Sequence, residues 1–228
     1  MKRTILVVDI GGSHVKLLLS PAKKLKFDSG PEMRPGEFAK RFRETTAGVK
    51  FTHISIGFPS PVRDGKVIRD PKHLGPGWRR FNFEKALGKP VRVINDAAMQ
   101  ALGSYSSGRM LFLGLGTGLG SALVWDNYVL PLELGDLPYR ERRRIEEWLG
   151  KPGVERLGKD CWREEVAYAV EQLKLAFIAD TVVLGGGNVK KMDRLPRGVK
   201  RGDNSNAFLG GRRLWETTRA GELRWQVL

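Results

Sequence analysis

The sequence predicts an α/β protein built from two similar domains. A unit of three short strands joined by tight turns occurs near residues 4–27 and again near residues 110–132, and helices and further strands follow each copy. Hydrophobic residues make up 41% and charged residues 29% of the 228 residues, a composition that excludes wholesale disorder. A stretch rich in Ser and Gly near residues 104–109 separates the two units. We therefore expect one domain over residues 1–106 and a second over residues 107–228.

Apolar runs define the elements of the first half. Short runs bounded by turn residues predict strands, and the first three strands form an antiparallel meander. Phe38 and Phe42 lie four residues apart, which places them on one face of a helix. The predicted order is strands over 5–8, 15–19 and 24–27, a helix over 37–45, a strand over 54–57, a short helix over 83–87, a strand over 91–94 and a helix that begins over 97–102.

The second half repeats this pattern and adds a long helix. Apolar residues at spacings of three and four, from Trp162 to Phe177, predict a helix with one face in the core. Asp126 and Asn127 predict a hairpin turn. The predicted order is strands over 110–115, 119–125 and 128–132, helices over 140–149 and 162–179, a strand over 181–184 and a helix that begins at Asn188.

The net charge and the composition indicate which classes of partner and site the protein can have. The net charge of +15 and the pI near 10.2 favour a polyanionic partner such as a phosphorylated substrate, nucleic acid or an anionic membrane, without choosing among them. Basic and aromatic residues do not interleave in a stacking pattern, so nucleic acid is not favoured. A single cysteine, Cys161, and three scattered histidines give no zinc-binding pattern. No apolar run reaches the roughly 20 residues that cross a bilayer, so we expect no membrane segment and a cytoplasmic protein. The sequence does not decide whether the protein forms a homodimer.

The first glycine-rich turn is a candidate phosphate site. Asp9 ends a predicted strand, and Gly11, Gly12 and Ser13 follow it. Glycines let backbone N–H groups approach an anion closely, Ser13 adds a hydroxyl donor, and Lys16 adds positive charge. Asp9 would suit Mg²⁺ held through water, because this ion takes one or two carboxylates together with phosphates. The alternative is an ordinary β-turn with a surface aspartate.

The second glycine-rich turn, at residues 114–120, also lies between two predicted strands. It does not fit the dinucleotide fingerprint, because its glycines alternate and a strand follows it. A hairpin of small residues would explain Gly116 and Gly118 without a ligand. It would not explain why both halves carry a glycine-rich turn at the same place. Two such turns that face each other across a cleft would hold a phosphate chain.

Three further segments carry polar or glycine residues at strand ends. Asn95 and Asp96 end a strand where a helix begins, so they are either a helix N-cap or a site that includes a general base. Glu133 and Asp136 would bind sugar hydroxyls or lie in solvent. The glycine run at 185–187 suits either close approach of a nucleotide or a tight connection.

These segments together resemble the ROK-type sugar kinases. Each motif is weak alone, but six occur in the order of that family, over residues 4 to about 190. They are Asp9–Ser13 with Lys16, Gly57–Pro59, Asn95–Asp96, Leu115–Ala122, Glu133–Gly135 and Gly185–Gly187. The serine of the first turn and the run from Gly116 to Ala122 are most similar to the polyphosphate/ATP glucokinase branch.

The resemblance implies an actin/hexokinase-like (ribonuclease H-like) fold, in which two α/β domains with mixed sheets surround a central cleft. It implies transfer of a phosphoryl group from ATP or polyphosphate to a hexose, first of all glucose, with Mg²⁺ and without zinc. Asp96 would be the catalytic base and Asp9 the carboxylate that holds Mg²⁺ through water. The phosphate and nucleotide residues would be Gly11, Gly12, Ser13, Lys16, Gly116, Thr117, Gly118 and Gly186. The sugar residues would be Gly57, Pro59, His73, Asn95, Asp96, Glu133 and Asp136.

Two departures from the family pattern concern the sugar pocket. His73 stands where the family commonly has an asparagine, and Asp136 stands where it has a histidine. Phosphoryl transfer is therefore better supported than glucose, and fructose, mannose or an amino sugar stay alternatives. A non-catalytic sugar sensor is a further alternative, although no helix-turn-helix segment precedes the first strand. The positive charge also suggests that surface Lys and Arg follow a long polyphosphate donor.

Overall fold

The computed structural model describes residues 3–20, 23–203 and 205–228. Its strands are β1 (Ile5–Ile10), β2 (His14–Leu18), β3 (Lys24–Asp28), β4 (His53–Phe58), β5 (Val62–Arg63), β6 (Lys66–Val67), β7 (Val91–Asn95), β8 (Met110–Leu115), β9 (Leu119–Trp125), β10 (Tyr128–Leu132), β11 (Thr181–Gly185), β12 (Val199–Arg201) and β13 (Gln226–Val227). Its α-helices are α1 (Pro35–Thr45), α2 (Phe83–Leu87), α3 (Asp96–Ser104), α4 (Glu146–Leu149), α5 (Lys151–Ala176) and α6 (Asn206–Arg213). Short 3₁₀ helices cover Trp78–Arg80, Leu134–Asp136, Arg140–Arg142 and Gly187–Lys191.

Two mixed sheets share one strand order. The first sheet runs β3-β2-β1-β4-β7, and the second runs β12-β11-β8-β9-β10, with β13 added beside β10. In each sheet a meander of three antiparallel strands is followed by two parallel strands next to its first strand. The repeated unit in the sequence is therefore a repeated sheet topology, as predicted.

Side-chain patterns explain the strand positions. In β2, His14 and Lys16 are exposed while Val15 and Leu17 are buried, so only one face of this strand meets the core. β8 lies between β11 and β9 and is buried along almost its whole length. The hairpin turn at Asp126 and Asn127 has φ values of 46° and 67°, the left-handed conformation that two-residue hairpins require.

Three helix predictions need correction. The predicted helix over 140–149 is a 3₁₀ turn followed by the short α4, because Glu141 and Arg142 adopt positive φ and Pro138 bridges to Arg144. The long helix α5 begins at Lys151 and ends at Ala176 instead of covering 162–179, with a non-helical residue at Gly158. The helix predicted to begin at Asn188 is a 3₁₀ helix.

Helix α3 lies between the two sheets. It packs against β4 and β7 of the first sheet and against β8, β9 and β10 of the second. Helix α6 packs on α3 and also contacts β1 and β4. One apolar core joins Val7, Ile94, Ala98, Met99, Leu102, Met110, Phe112, Val124, Ala207 and Phe208. The core therefore connects both sheets, and residues near the end of the chain pack on the first sheet. No helix among the described residues is long and apolar enough to cross a membrane.

Glycines permit the close contact of α3 with α6. A Cβ atom on Gly103 would overlap the carbonyl oxygen of Asn206, and one on Gly210 would overlap the carbonyl oxygen of Met99. The two helix backbones therefore touch at these positions, and a larger residue would force the helices apart.

We expect Gly210→Ala to lower the free energy of unfolding by about 3 kcal/mol, because helix separation would also open the shared core. Urea unfolding followed by circular dichroism measures this change. Gly36→Ala is the matched control, since Gly36 lies in α1 and a Cβ there meets no atom within 4 Å. Equal stabilities of the two variants would contradict the proposed role of this contact.

Candidate active site

A cleft of about 340 Å³ opens between the two sheets. Both glycine-rich turns line it, so the structure brings together the two segments that the sequence predicted to face one ligand. From the first half of the chain the lining includes Gly11, Gly12, Pro59, Ser60, His73, Asn95 and Asp96. From the second half it includes Gly114, Gly116, Thr117, Gly118, Gly120, Glu133, Glu146 and Gly186.

The end of β3 holds the first turn. The Ser29 hydroxyl donates to the Gly11 carbonyl at 2.6 Å, and the Ser29 amide donates to the Ser13 carbonyl at 2.9 Å. Gly12 lies against His73, because a Cβ on Gly12 would sit 2.8 Å from the Cβ of His73. Ser13 is exposed and lies outside the cleft lining, so the structure does not bring it together with the other predicted phosphate residues of this turn.

Asp9 lies at the end of β1, beside the first turn. Its Oδ2 is 3.5 Å from the Nζ of Lys16, and its side chain is only 18% exposed. Burial raises the pKa of Asp9, and the positive charge of Lys16 opposes that rise. Lys16 thus pairs with Asp9 and, like Asp9, is not part of the cleft lining, which differs from its predicted place in the phosphate loop.

Asn95 and Asp96 have separate tasks at the start of α3. The Asn95 side chain caps the helix by accepting from the Ala98 amide at 3.1 Å, and its own amide group reaches the Ser60 carbonyl at 3.5 Å. The Oδ1 of Asp96 accepts from the Ala97 amide at 2.8 Å, and the side chain faces the cleft. The alternative of a helix cap therefore holds for Asn95 and leaves Asp96 available for chemistry.

The surroundings of Asp96 raise its pKa to about 7. Burial is the largest cause, because a desolvated carboxylate is unfavourable, and the negative charges of Asp9 and then Glu133 add to it. A carboxyl group with this pKa accepts a proton near neutral pH, as a general base must.

Gly57, one of the predicted sugar residues, lies behind the cleft wall. It is buried on β4 and is not part of the cleft lining. A Cβ on Gly57 would lie 3.3 Å from the Cα of Asp96 and would overlap the side chain of Met99. Its small size therefore lets the first turn of α3 lie on β4, which is a packing role.

Hydrogen bonds from the 3₁₀ helix at 187–191 and from the start of α5 fix the second turn on the side away from the cleft. The Gly116 carbonyl accepts from the Asn188 side chain at 2.8 Å and from the Lys151 amide at 3.0 Å. Gly186 has a φ of 82°, and a Cβ there would lie 2.5 Å from the Leu115 carbonyl oxygen. A glycine is required at 186 on both counts.

Ion pairs join the two walls at the rim of the cleft. Asp136 lies 3.3 Å from Arg69, 3.3 Å from Lys72 and 3.0 Å from Arg144. Lys72 also lies 3.0 Å from Glu146. Asp136, predicted to bind sugar, is thus engaged by three cations and is absent from the cleft lining. The Arg69 and Lys72 side chains are about half exposed, so each pair contributes only about 0–1 kcal/mol.

The sequence predictions missed several cleft residues. Arg69, Lys72 and Glu146 line the cleft, yet none of them belongs to a motif identified in the sequence. Asp70 accepts from the amides of Gly77 at 3.2 Å and Trp78 at 2.8 Å and so folds the loop that carries Lys72. The sequence pattern carries no signal for this arrangement.

Known proteins that resemble this chain in sequence or fold include kinases that act on sugars. No protein-family model matches the chain. A polyphosphate glucokinase from Mycobacterium leprae is 24% identical over 218 residues, which cover 82% of this chain and 64% of that protein. The chain thus spans slightly less than two thirds of the length of that relative. A solved inorganic polyphosphate/ATP-glucomannokinase from Arthrobacter sp. strain KM superposes with a TM-score of 0.77 at 22% identity, over 92% of this chain and 97% of that one.

The chain resembles the ROK-type sugar kinases in both sequence and fold. A ROK family glucokinase from Streptomyces griseus, solved with glucose and AMPPNP, superposes with a TM-score of 0.69 at 15% identity, over 91% of this chain and 97% of that one. The expected α/β fold, with mixed sheets around a central cleft, is confirmed.

We expect the Asp96 carboxyl to titrate near pH 7 and Asp9→Asn to lower that midpoint, because the substitution removes a nearby negative charge. NMR titration of the side-chain carboxyl carbons measures both values without any substrate. Asp28→Asn, which removes a carboxylate that is 82% exposed, is the control and should leave the midpoint in place. An Asp96 midpoint that Asp9→Asn does not move would contradict this coupling.

Proposed function

We propose that this protein is a sugar kinase that transfers the terminal phosphoryl group of ATP or polyphosphate to a hexose hydroxyl, first of all that of glucose. The observation that carries the proposal is the Asp96 carboxyl, which has a pKa of about 7 and faces a cleft lined by two glycine-rich turns. The similarity to polyphosphate glucokinases and to the glucomannokinase supports the same reaction.

Asp96 acts as the general base. It accepts the proton of the sugar hydroxyl as the oxygen of that hydroxyl attacks the terminal phosphorus in line. The bond from this phosphorus to the bridging oxygen of the donor then breaks, and ADP or a polyphosphate shortened by one unit leaves. The proton stays on Asp96 until solvent removes it.

The glycine-rich turns stabilise the charge of the transferred group. The amides of Gly11 and Gly116 donate to the carbonyls of His14 and Gly118 and so shape the two turns. The amides of Gly12 on one wall, and of Thr117 and Gly118 on the other, donate to phosphoryl oxygens. Gly186 gives a nucleotide close access to the end of β8. Closure of the cleft limits hydrolysis of the donor by water.

Asp9 is the residue that would hold Mg²⁺. The described residues contain no group of three or more acidic, His or Cys side chains placed for a metal, but this ion needs only one or two carboxylates beside water and donor phosphates. The largely buried carboxylate of Asp9, beside the first turn, fits that need. The bound ion would supply positive charge to the donor phosphates.

The sugar pocket lies between His73, Asn95, Asp96 and Glu133, beside Pro59. Ser121 positions Glu133: its hydroxyl donates to the Leu132 carbonyl at 2.9 Å and accepts from the Leu134 amide at 3.1 Å. Glu133 is then the acidic residue that binds sugar hydroxyls, since it lines the cleft and Asp136 does not. We also infer that the enzyme acts in the cytoplasm, where ATP and polyphosphate both occur. The two domains, we infer further, divide near residue 106.

We expect Asp96→Asn to lower kcat by about two to four powers of ten, because the amide cannot accept the proton. The amide oxygen can still accept from Ala97, so folding and nucleotide binding should be retained. Steady-state kinetics, thermal unfolding and calorimetric titration with AMPPNP measure the three properties. Near-normal turnover would refute the role of Asp96 as base.

A coupled assay tests the function itself by crossing a panel of hexoses and amino sugars with ATP and polyphosphate. We expect sugar phosphate with at least one donor, and the panel identifies the preferred pair. Release of free phosphate alone would indicate a hydrolase. Sugar binding without any transfer would support the sensor alternative.

A further inference from the structure

We propose that Asn188 is a positioning residue that turns the Thr117 amide toward the phosphoryl donor. The inference rests on the proposed function and adds a residue that the sequence motifs did not include. Asn188 lies in the 3₁₀ helix after the glycine run, beyond the residues that line the cleft.

Two donors fix the peptide group between Gly116 and Thr117. The Asn188 side chain donates to the Gly116 carbonyl oxygen at 2.8 Å, and the Lys151 amide donates to the same oxygen at 3.0 Å. Neither donor residue lines the cleft. The Gly116 carbonyl therefore points away from the cleft and would not repel a phosphate held there.

The opposite end of the same peptide group then faces the cleft. In a trans peptide the carbonyl and the following N–H point in opposite directions, and the structure has no cis peptide bond among its described residues. The N–H that follows the Gly116 carbonyl belongs to Thr117, which lines the cleft. Within the described part of the chain this N–H donates to no acceptor, so it is available to an anion.

The asparagine is itself held in one orientation. The Nζ of Lys191 donates to the Oδ1 of Asn188 at 2.8 Å, and the Nε of Arg163 donates to the Lys191 carbonyl at 2.6 Å. Because Lys191 occupies the oxygen, the NH₂ group of Asn188 must face Gly116. An aspartate of the same size would place an acceptor against the Gly116 carbonyl and favour rotation of this peptide group.

The test measures binding of tripolyphosphate to the full chain by calorimetric titration, together with kcat and KM for donor and sugar. We expect Asn188→Asp to weaken tripolyphosphate binding and raise the donor KM by about tenfold, because one hydrogen bond to a charged group is lost. The KM for glucose should stay within about twofold, since the sugar pocket is untouched. Asn188→Ala should act in the same direction, and thermal unfolding checks the fold of each variant.

Lys190→Met is the matched control. It also lowers the net charge by one, and Lys190 is an exposed residue of the same 3₁₀ helix. We expect a smaller loss than for Asn188→Asp. Lys191→Met removes only the support of Asn188 and should weaken binding less than Asn188→Asp, with a larger loss than the control.

The outcomes separate the two proposals. If the native chain binds tripolyphosphate and Asn188→Asp binds it equally well, or no worse than Lys190→Met, the role of Asn188 is overturned and the proposed function stands. If the native chain binds neither tripolyphosphate nor ATP, both proposals fail. A loss in Asn188→Asp that affects glucose and donor KM alike would show a general structural role and would also overturn the inference.

Discussion

Backbone contact between α3 and α6 is the constraint on which the rest of the structure depends. Helix α3 carries Asp96 at its first position and lies between both sheets, so its placement fixes the distance from Asp96 to each glycine-rich turn. Gly103 and Gly210 allow the helices to touch, and Gly57 allows the first turn of α3 to lie on β4. A shift of about 1 Å in such an element is enough to disturb a reacting geometry. Packing in the shared core is thus coupled directly to chemistry at the cleft.

Two carboxyl groups, those of Asp9 and Asp96, are buried near each other at the site, which is unfavourable and must be offset by the rest of the fold. Asp9 and Asp96 both have raised pKa values, chiefly because they are buried, and the charge of Asp9 raises the pKa of Asp96 further. Burying two acids close together is unfavourable, and such arrangements cluster at functional sites. The ends of β1 and β7 nevertheless bring them together, because both strands are fixed by ladders on their neighbours. Lys16 offsets part of the cost for Asp9.

The features that could be predicted from the sequence are those that depend on local residue patterns. Short apolar runs such as residues 5–8 predicted the central strands, and the repeated glycine-rich turns predicted both the duplicated topology and the two faces of the cleft. The sequence pattern does not decide that Asn95 caps the helix and that the Asp96 side chain faces the cleft, because either residue type serves at an N-cap.

The remaining features depend on contacts between distant residues. The segment over 140–149 reads as a charged helix, but Tyr139 pairs with Arg143 and the chain forms a tight loop instead. The engagement of Asp136 follows from cations far away in the sequence, at positions 69 and 72. Long-range electrostatic partners leave no periodic signal, so no reading of spacing could have found them.

The place of α6 has a consequence for how the chain acquires its structure during synthesis. Residues 206–213 pack against α3, β1 and β4, elements that leave the ribosome far earlier. Part of the apolar surface of the first sheet therefore stays uncovered until residues 206–213 have emerged. Such late closure raises contact order and slows folding, and it makes the two halves of the molecule mature together instead of one after the other.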